Sequence, residues 1–297
     1  MTTLKQYFIA TRPWSFPMSL ISVSLGTLLA AAHGRIHWGV FAAVAVGIVL
    51  THAAGNVIND YFDSKNKVDQ PDSPTARYRP HPIMGGMMSL HTLLLEAVVF
   101  FVLAGVIGLA LALLRSPHLF WIIATGLVLT VFYTATPIGY KYSALGEVAI
   151  FLIWGPLMFE GAYVAQRQQL APEALIASVP FGVLVALVLF ANNLRDIDYD
   201  KRSGIKTIAI LLGHQRSLVL FAALMLSAYV YVALAVAVRA LSPWTLLVFL
   251  SLPMAVGLLR SFRRGIPDEA DAITAKVDTV FGLLFIAALV VEKLLGT

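Results

Sequence analysis

Long apolar stretches recur along the whole chain and limit the folds that it can adopt. Nine of them have about the 20 residues that a helix needs to cross the hydrocarbon core of a bilayer. They lie near 14–33, 37–58, 92–114, 118–136, 145–165, 173–194, 216–238, 243–260 and 277–295. Because they are continuous rather than alternating, they favour helices over barrel strands. We therefore predict an all-α polytopic membrane protein, with nine transmembrane helices around a central cavity and a cap of loops on the cytoplasmic side.

The distribution of positive charge predicts the orientation of these helices. If the N-terminus is cytoplasmic, sixteen of the 21 lysines and arginines fall on the cytoplasmic side, as the positive-inside rule expects. We therefore predict a multi-pass protein of the cell inner (cytoplasmic) membrane with a cytoplasmic N-terminus. The chain has no cysteine, which excludes disulfides, thiolate catalysis and cysteine-ligated metal sites.

The aspartates are concentrated after the second and the sixth apolar stretch. The two segments read NVINDYFDSKNKVD (56–69) and ANNLRDIDYDKRSGIKT (191–207). Seven of the ten aspartates follow these two stretches: Asp60, Asp63, Asp69, Asp72, Asp196, Asp198 and Asp200. Because four spans separate the two segments, we expect both to emerge on the same, cytoplasmic, face of the membrane.

Two acidic clusters on one face predict a particular chemistry. Residues three and four apart share a helical face, so each segment can bring its carboxylates together. Mg²⁺ makes such a cluster tolerable, since it is typically held by one or two carboxylates together with substrate phosphates. Neighbouring cations are suitable donors to phosphate oxygens: Lys67, Arg195, Lys201, Arg202 and Lys206. The pattern predicts a Mg²⁺ site for a diphosphate with an apolar tail; for any one aspartate alone, a solvated loop position is the simpler interpretation.

The two segments resemble the aspartate-rich motifs of the UbiA superfamily of intramembrane prenyltransferases, written N-D-x-x-D-x-x-x-D and D-x-x-x-D. Asn59, Asp60 and Asp63 match the first motif, and Asp196 and Asp200 match the second. The third aspartate of the first motif would fall on Lys67, and Asp69 substitutes for it. The stretches 10–30, 137–158 and 192–213 resemble the branch that prenylates 1,4-dihydroxy-2-naphthoate in menaquinone biosynthesis. The resemblance covers residues 1–297 as a single transmembrane domain with a weak two-half repeat, 1–136 and 137–297.

The resemblance implies a reaction and a set of site residues. The reaction is transfer of a polyprenyl group from a prenyl diphosphate to an aromatic acid, with Mg²⁺ as cofactor and the active site facing the cytoplasm. The implied metal ligands are Asp60, Asp63, Asp69, Asp196 and Asp200. The implied diphosphate contacts are Asn56, Asn59, Lys67, Arg79, Lys141, Asn192, Arg202 and Lys206. Catalytic roles are expected for Asp63, Asp196, Lys141 and Tyr140.

Other functions remain open from the sequence. A prenyltransferase of another branch would use 4-hydroxybenzoate, homogentisate, an ether lipid or haem as acceptor. A cation-coupled transporter would use the carboxylates as an ion path, although transport sites usually lie near the membrane midplane. A non-catalytic assembly factor is a third class. The expected partners are a prenyl diphosphate, an aromatic acid and the lipid bilayer, without nucleic acid, and the sequence leaves chain length and oligomeric state open.

Overall fold

The computed structural model describes residues 3–296, without the side chain of Arg77. Over this range the elements are helical and no β-strand is formed. The helices are α1 (Leu4–Ala10), α2 (Phe16–Ala31), α3 (Trp38–Lys65), α4 (Pro74–Tyr78), α5 (Leu90–Leu114), α6 (His118–Phe132), α7 (Gly146–Leu152), α8 (Met158–Arg167), α9 (Pro172–Arg195), α10 (Ile197–Arg202), α11 (Ile208–Ala237), α12 (Leu252–Arg264) and α13 (Ala270–Leu295). Short 3₁₀ segments precede α2 and α12, at Pro13–Ser15 and Pro243–Ser251.

The helices confirm the prediction of an all-α membrane protein. Within residues 3–296, eight helical segments are long and apolar enough to cross a membrane, and α6 is a shorter apolar helix. The nine predicted spans therefore correspond to eight full-length segments and this shorter one.

Three helices extend seven or eight residues beyond the predicted spans, so those predicted ends were wrong. One of these helices, α13, begins at Ala270 rather than near 277. The helix α3 continues to Lys65 rather than ending near 58. Its last turns carry polar residues, two of which, Asp60 and Asp63, are buried against other parts of the protein. These residues lower the hydropathy of the segment but do not end the helix. The helix α11 begins at Ile208 rather than near 216, where Thr207 accepts a hydrogen bond from the Ile210 amide over 3.2 Å. A left-handed Gly213 (φ 73°) interrupts its first turns.

The largest core lies among α2, α9, α11 and α13. Buried aromatic side chains fill it, including Phe181, Phe221, Phe281 and Phe285. A second core joins α3, α6 and α8, with Val44, Leu119 and Val164 among its buried members. Between these two cores the helices leave a cavity, which is lined by residues from the ends of α3 and α9 among others.

A break between α7 and α8 shapes the wall of that cavity. Residues Ile153–Leu157 form a π turn that contains Pro156, and proline cannot continue the helical hydrogen-bond ladder. A Cβ on Gly182 of α9 would lie 2.9 Å from the Cα of Gly155, so the glycine pair lets the two backbones approach closely. The turn places Trp154 against α2, where its carbonyl accepts the Ser22 hydroxyl over 2.7 Å.

Candidate active site

One cavity brings the two acidic segments together. Its volume is about 310 Å³. Four of the aspartates predicted from the sequence line it: Asp63, Asp69, Asp196 and Asp200. The first two come from the end of α3 and the loop that follows, and the last two come from the end of α9 and from α10. The two segments thus face a common space, although more than a hundred residues of chain separate them.

The last turns of α3 present a polar face to the cavity. Asn56, Asn59 and Asp63 line it, as their spacing of three and four residues along one helix requires. The ammonium of Lys141 donates to Asn59 Oδ1 (3.1 Å) and to Asp63 Oδ2 (2.6 Å). The hydroxyl of Tyr142 donates to the other oxygen of Asp63 over 2.6 Å. Asn59 and Asp63 therefore share the ammonium of Lys141, and the Tyr142 hydroxyl occupies the second oxygen of Asp63.

The loop between α6 and α7 holds Lys141 and Tyr142 in place by backbone hydrogen bonds. The Lys141 amide donates to the Tyr133 carbonyl over 3.0 Å. The Tyr142 carbonyl accepts the Lys206 amide (3.2 Å), and the Ala144 amide donates to the Lys206 carbonyl (2.8 Å). The loop after α10 thus supports the loop that carries the lysine.

Tyr140, predicted as a catalytic residue, has a different environment from Tyr142. Its hydroxyl donates to the backbone carbonyl of Leu129, and its ring packs edge-on against Tyr133 at 5.7 Å between centroids. Neither Tyr140 nor Tyr142 is among the residues that line the cavity, so their hydrogen bonds are what distinguishes them. Within the described chain, Tyr142 is therefore the tyrosine of this turn that contacts an acidic residue of the site.

Asp60 points away from the cavity and pairs with arginine. It is fully buried and forms an ion pair with Arg12. Arg79 Nη2 and His81 Nε2 each lie 4.0 Å from the same carboxylate oxygen. Asp60, Asp69 and His81 could in principle offer ligand atoms to one ion, since these atoms lie within 4.8 Å of one another. Asp63 and Asp196 are also paired with cations, but Asp60, unlike them, is not among the residues that line the cavity.

The two carboxylates of the second acidic segment, Asp196 and Asp200, have different surroundings. Arg195 donates to both oxygens of Asp196, over 2.6 and 2.7 Å, and also to Asn192 Oδ1 over 2.6 Å. Asp200, four residues after Asp196, lies on the same side of α10 and lines the cavity. The backbone N–H of Asp200 donates to the Asp196 carbonyl over 2.8 Å, which fixes the relative position of the two residues.

Burial and mutual repulsion perturb the acids of the α9–α10 segment and the neighbouring loop. Burial, and next the charge of Asp196, raise the pKa of Asp200 to about 7. Burial raises the pKa of Asp196 despite the hydrogen bonds from Arg195. Burial also acts to raise the pKa of Asp69, but the hydrogen bond from His81 and the charge of Lys141 hold it below its usual value. Concentrated carboxylates of this kind are stabilised by a cation.

The loop between α3 and α5 covers one side of the cavity and is fastened to the second half of the chain. Tyr199 donates to the Val68 carbonyl over 2.9 Å, and Arg195 donates to the Thr75 hydroxyl over 3.0 Å. The hydroxyl of Tyr78 donates to Asp271 at the start of α13. The guanidinium of Arg195 also lies 5.0 Å from the centre of the Tyr78 ring.

The predicted diphosphate contacts divide into two groups. Asn56, Asn59, Arg79, Lys141 and Asn192 line the cavity. Lys67, Arg202 and Lys206 are exposed and lie outside the cavity lining, and Arg202 lies over the ring of Tyr199 at 5.6 Å. Their predicted contacts stay predictions.

The charged and polar residues that line the cavity include three that were not predicted from the sequence: Arg12, Tyr78 and Asp271. Arg12 directly precedes the first span, on the face predicted for the acids, and that position was the available signal. No comparable signal marked Asp271.

The whole-chain resemblance is confirmed by comparison with known proteins. The sequence profile described as the UbiA prenyltransferase family matches residues 19–289. The chain belongs to the UbiA prenyltransferase family. Members of this family are prenyltransferases, and the chain is an enzyme of that class.

Relatives in this family include animal and bacterial proteins. The UbiA prenyltransferase domain-containing protein 1 of Xenopus tropicalis is 32% identical over 301 residues, which cover 97% of this chain and 84% of that protein. The 1,4-dihydroxy-2-naphthoate octaprenyltransferase of Bacillus subtilis (strain 168) is 30% identical over 291 residues, which cover 95% of this chain and 91% of that protein.

Solved structures share the fold at low sequence identity. A UbiA homologue from Aeropyrum pernix K1 matches with a TM-score of 0.71 and 20% identity, over 93% of this chain and 97% of that one. A UbiA homologue from Archaeoglobus fulgidus bound to GPP and Mg²⁺ matches with a TM-score of 0.66 and 14% identity, over 96% of this chain and 99% of that one.

Proposed function

We propose that this prenyltransferase transfers a polyprenyl group to 1,4-dihydroxy-2-naphthoate in a Mg²⁺-dependent reaction. The observation that carries the proposal is the convergence of Asp63, Asp69, Asp196 and Asp200 on one cavity whose deeper walls are apolar. The bacterial relative named for this acceptor supports the choice of substrate. The excess of lysine and arginine on the acidic side supports a cytoplasmic active site in the inner membrane.

The donor set suits a hard divalent cation. Asp63, Asp69, Asp196 and Asp200 offer carboxylate oxygens, and Asn59 and Asn192 add amide oxygens at the same cavity. Asp200 supports this fit, because burial and the charge of Asp196 raise its pKa to about 7, as expected of a carboxylate that forms no ion pair among the described residues. These residues would hold Mg²⁺, which when bound supplies positive charge to the departing diphosphate. The fold neighbour bound to GPP and Mg²⁺ supports the same pairing of metal and ligand.

Asp60 has a separate role in this proposal. It holds Arg12 and Arg79, whose side chains line the cavity. The Arg12 Nε and Arg79 Nη1 atoms are buried and have no hydrogen-bond partner among the described residues. A diphosphate is the ligand that would satisfy these donors. We therefore assign Asp60 to positioning the two arginines rather than to metal ligation.

The chain's own groups prepare the transfer step. The bond between the first prenyl carbon and the diphosphate oxygen breaks, and its electron pair leaves with the diphosphate, to which Lys141, Arg12 and Arg79 donate hydrogen bonds. Trp154 and Tyr133 line the cavity, where an aromatic ring would stabilise the allylic cation that remains. The acceptor ring carbon that carries the carboxylate then forms the new C–C bond, its bond to the carboxylate breaks, and CO₂ leaves while the electron pair of that bond restores the aromatic ring. The loop between α3 and α5 keeps water from the cation.

A panel assay tests this function. Purified protein in lipid nanodiscs is supplied with a radiolabelled prenyl diphosphate, Mg²⁺ and one acceptor at a time: 1,4-dihydroxy-2-naphthoate, 4-hydroxybenzoate, homogentisate or a glycerol-phosphate ether lipid. We expect a prenylated product with the naphthoate, and no product in excess EDTA. A different preferred acceptor would refute the substrate assignment but not the enzyme class.

Matched variants test the metal and diphosphate site. We expect Asp63→Ala and Asp196→Ala to abolish transfer. Asp198→Ala is the control, since Asp198 belongs to the same acidic segment but its side chain is 86% exposed. Full activity of Asp63→Ala or Asp196→Ala, or activity unaffected by EDTA, would show that the carboxylates do not act through a metal.

A further inference from the structure

His52 lies in the wall of the cavity and takes no part in the transfer step proposed for it. It belongs to α3, four residues before Asn56, and its side chain is buried. The imidazole packs edge-on against Trp154, with 5.0 Å between the ring centres, and against Phe16 at 5.5 Å. Among the described residues it forms no ion pair with a carboxylate. Buried ring nitrogens require hydrogen-bond partners, and the partners of His52 are two serines.

The hydrogen bonds of Ser15 show which nitrogen of His52 carries a hydrogen. Ser15 Oγ donates to the Arg12 carbonyl over 2.8 Å, and a hydroxyl has one hydrogen to give. The same oxygen accepts an N–H of Asn56 over 3.1 Å. The Thr11 carbonyl, 2.9 Å from this amide nitrogen, fixes the orientation of the amide. His52 Nε2, 3.1 Å from Ser15 Oγ, can therefore only donate to it, so the ring carries a hydrogen on Nε2.

The other nitrogen of His52 faces a serine of α2. Ser19 Oγ lies 2.8 Å from His52 Nδ1 and accepts the indole N–H of Trp154 over 3.0 Å. If Nδ1 were protonated as well, the hydroxyl hydrogen of Ser19 would have no partner among the described residues. A neutral ring satisfies every group, because Nδ1 then accepts the Ser19 hydroxyl. The lone pair of Nδ1 is thus occupied and is not free to take a proton from a substrate.

The two serines connect His52 to two functional parts of the cavity. Ser15 binds the carbonyl of Arg12, whose backbone is left-handed (φ 54°), an uncommon conformation for a residue other than glycine. The Arg12 side chain lines the cavity. Ser19 holds the indole of Trp154 at the π turn between α7 and α8. His52 therefore lies between the turn that supplies a diphosphate donor and the turn that supplies an aromatic wall.

We propose that His52 is a positioning residue that acts through both serines. Through Ser15 it holds Arg12 toward the departing diphosphate. Through Ser19 it holds the ring of Trp154 beside the allylic cation. The inference rests on the proposed function, which assigns Arg12 to the diphosphate and Trp154 to the cation.

Removing each serine hydroxyl separately tests the two connections. Ser15→Ala should weaken Mg²⁺-dependent binding of inorganic diphosphate to the protein in nanodiscs by about three- to tenfold, as expected for lost neutral hydrogen bonds. Ser19→Ala should leave that affinity unchanged and slow a single turnover of prenyl transfer by a similar factor, measured with the acceptor that wild type prefers. Ser24→Ala is the control, because Ser24 belongs to α2 but does not line the cavity. It should match wild type in both measurements.

Two substitutions of His52 separate its hydrogen bonds from its packing. His52→Phe keeps an aromatic ring against Trp154 and Phe16 but has no nitrogen, so it should lose both diphosphate affinity and single-turnover rate. His52→Gln should recover most of both, because an amide offers one donor and one acceptor, as the neutral imidazole does. Nitrogen NMR of histidine-labelled protein at neutral pH gives a readout besides activity. The signal that is absent from His52→Gln should be that of a neutral ring with its hydrogen on Nε2.

Each measurement has a result that would overturn the inference. A ring with its hydrogen on Nδ1, or on both nitrogens, would contradict the hydrogen bonds to the serines. Equal weakening of diphosphate binding by Ser15→Ala and Ser19→Ala would show that the serines only stabilise the fold. A loss of turnover in His52→Gln as large as in His52→Phe would assign proton transfer to the imidazole, since glutamine cannot take up a proton. Absence of Mg²⁺-dependent diphosphate binding to wild type would refute the proposed function, and the inference with it.

Discussion

Tyr140 and Tyr142 lie two residues apart in one turn and make different hydrogen bonds, so a pair of variants tests the structure of the site. Tyr142→Phe removes the hydroxyl that donates to Asp63 over 2.6 Å. Burial and the charge of Asp63 raise the pKa of the Tyr142 phenol, so this hydroxyl stays protonated and donates at neutral pH. Tyr140→Phe removes a hydroxyl that donates to the Leu129 carbonyl.

The two variants should differ in how much catalytic efficiency they lose. A hydrogen bond to a charged group contributes about 1.5–3 kcal/mol, which corresponds to a loss of about ten- to a hundredfold in kcat/KM for Tyr142→Phe. A neutral hydrogen bond contributes about 0.5–1.5 kcal/mol. In Tyr140→Phe it supports the turn, so we expect a lower unfolding midpoint and little change in kcat/KM.

The assay is prenyl transfer as a function of prenyl diphosphate and Mg²⁺ concentration, with thermal unfolding of each variant measured in the same detergent. For Tyr142→Phe we expect a higher Mg²⁺ concentration at half-maximal rate, together with a lower unfolding midpoint, because its hydrogen bond to Asp63 is present without ligand. The reasoning would be refuted if Tyr140→Phe lost activity while Tyr142→Phe kept it. That result would restore the role predicted for Tyr140 from the sequence.

Further predictions concern other charged groups of the site. Asp60→Asn should destabilise the protein by about 3 kcal/mol in denaturant unfolding, because it leaves the buried charge of Arg12 uncompensated; a stability equal to wild type would contradict the ion pair. Asp200→Asn should keep or raise the unfolding midpoint, because burial and Asp196 disfavour the ionised carboxylate, while Mg²⁺-dependent binding of prenyl diphosphate is lost. Tyr78→Phe should speed proteolytic cleavage of the loop 66–89 by about tenfold, since it removes a hydrogen bond to Asp271; an unchanged cleavage rate would show that this contact does not fasten the loop. Excess EDTA should lower the unfolding midpoint of protein mixed with prenyl diphosphate to that of protein alone.

The helical class and the grouping of the acids could be predicted from the sequence. Apolar runs of bilayer length leave the backbone no other way to satisfy its hydrogen bonds. The number of spans between 56–69 and 191–207 then places the two acidic segments on one side, and the structure has them line one cavity. The weak repeat of 1–136 and 137–297 stays a prediction.

The sequence by itself determined which residue types meet at the site. Hydropathy gives the number of membrane spans between two loops, and an even number of spans places both loops at the same end of the bundle. Only the tertiary structure decided which member of each group faces the cavity. Asp60 and Asp63 are three residues apart, yet α3 turns one toward Arg12 and the other toward Lys141. Tyr140 and Tyr142 differ in the same way. These choices depend on helix phase and loop path, which are set by contacts with residues distant in the chain.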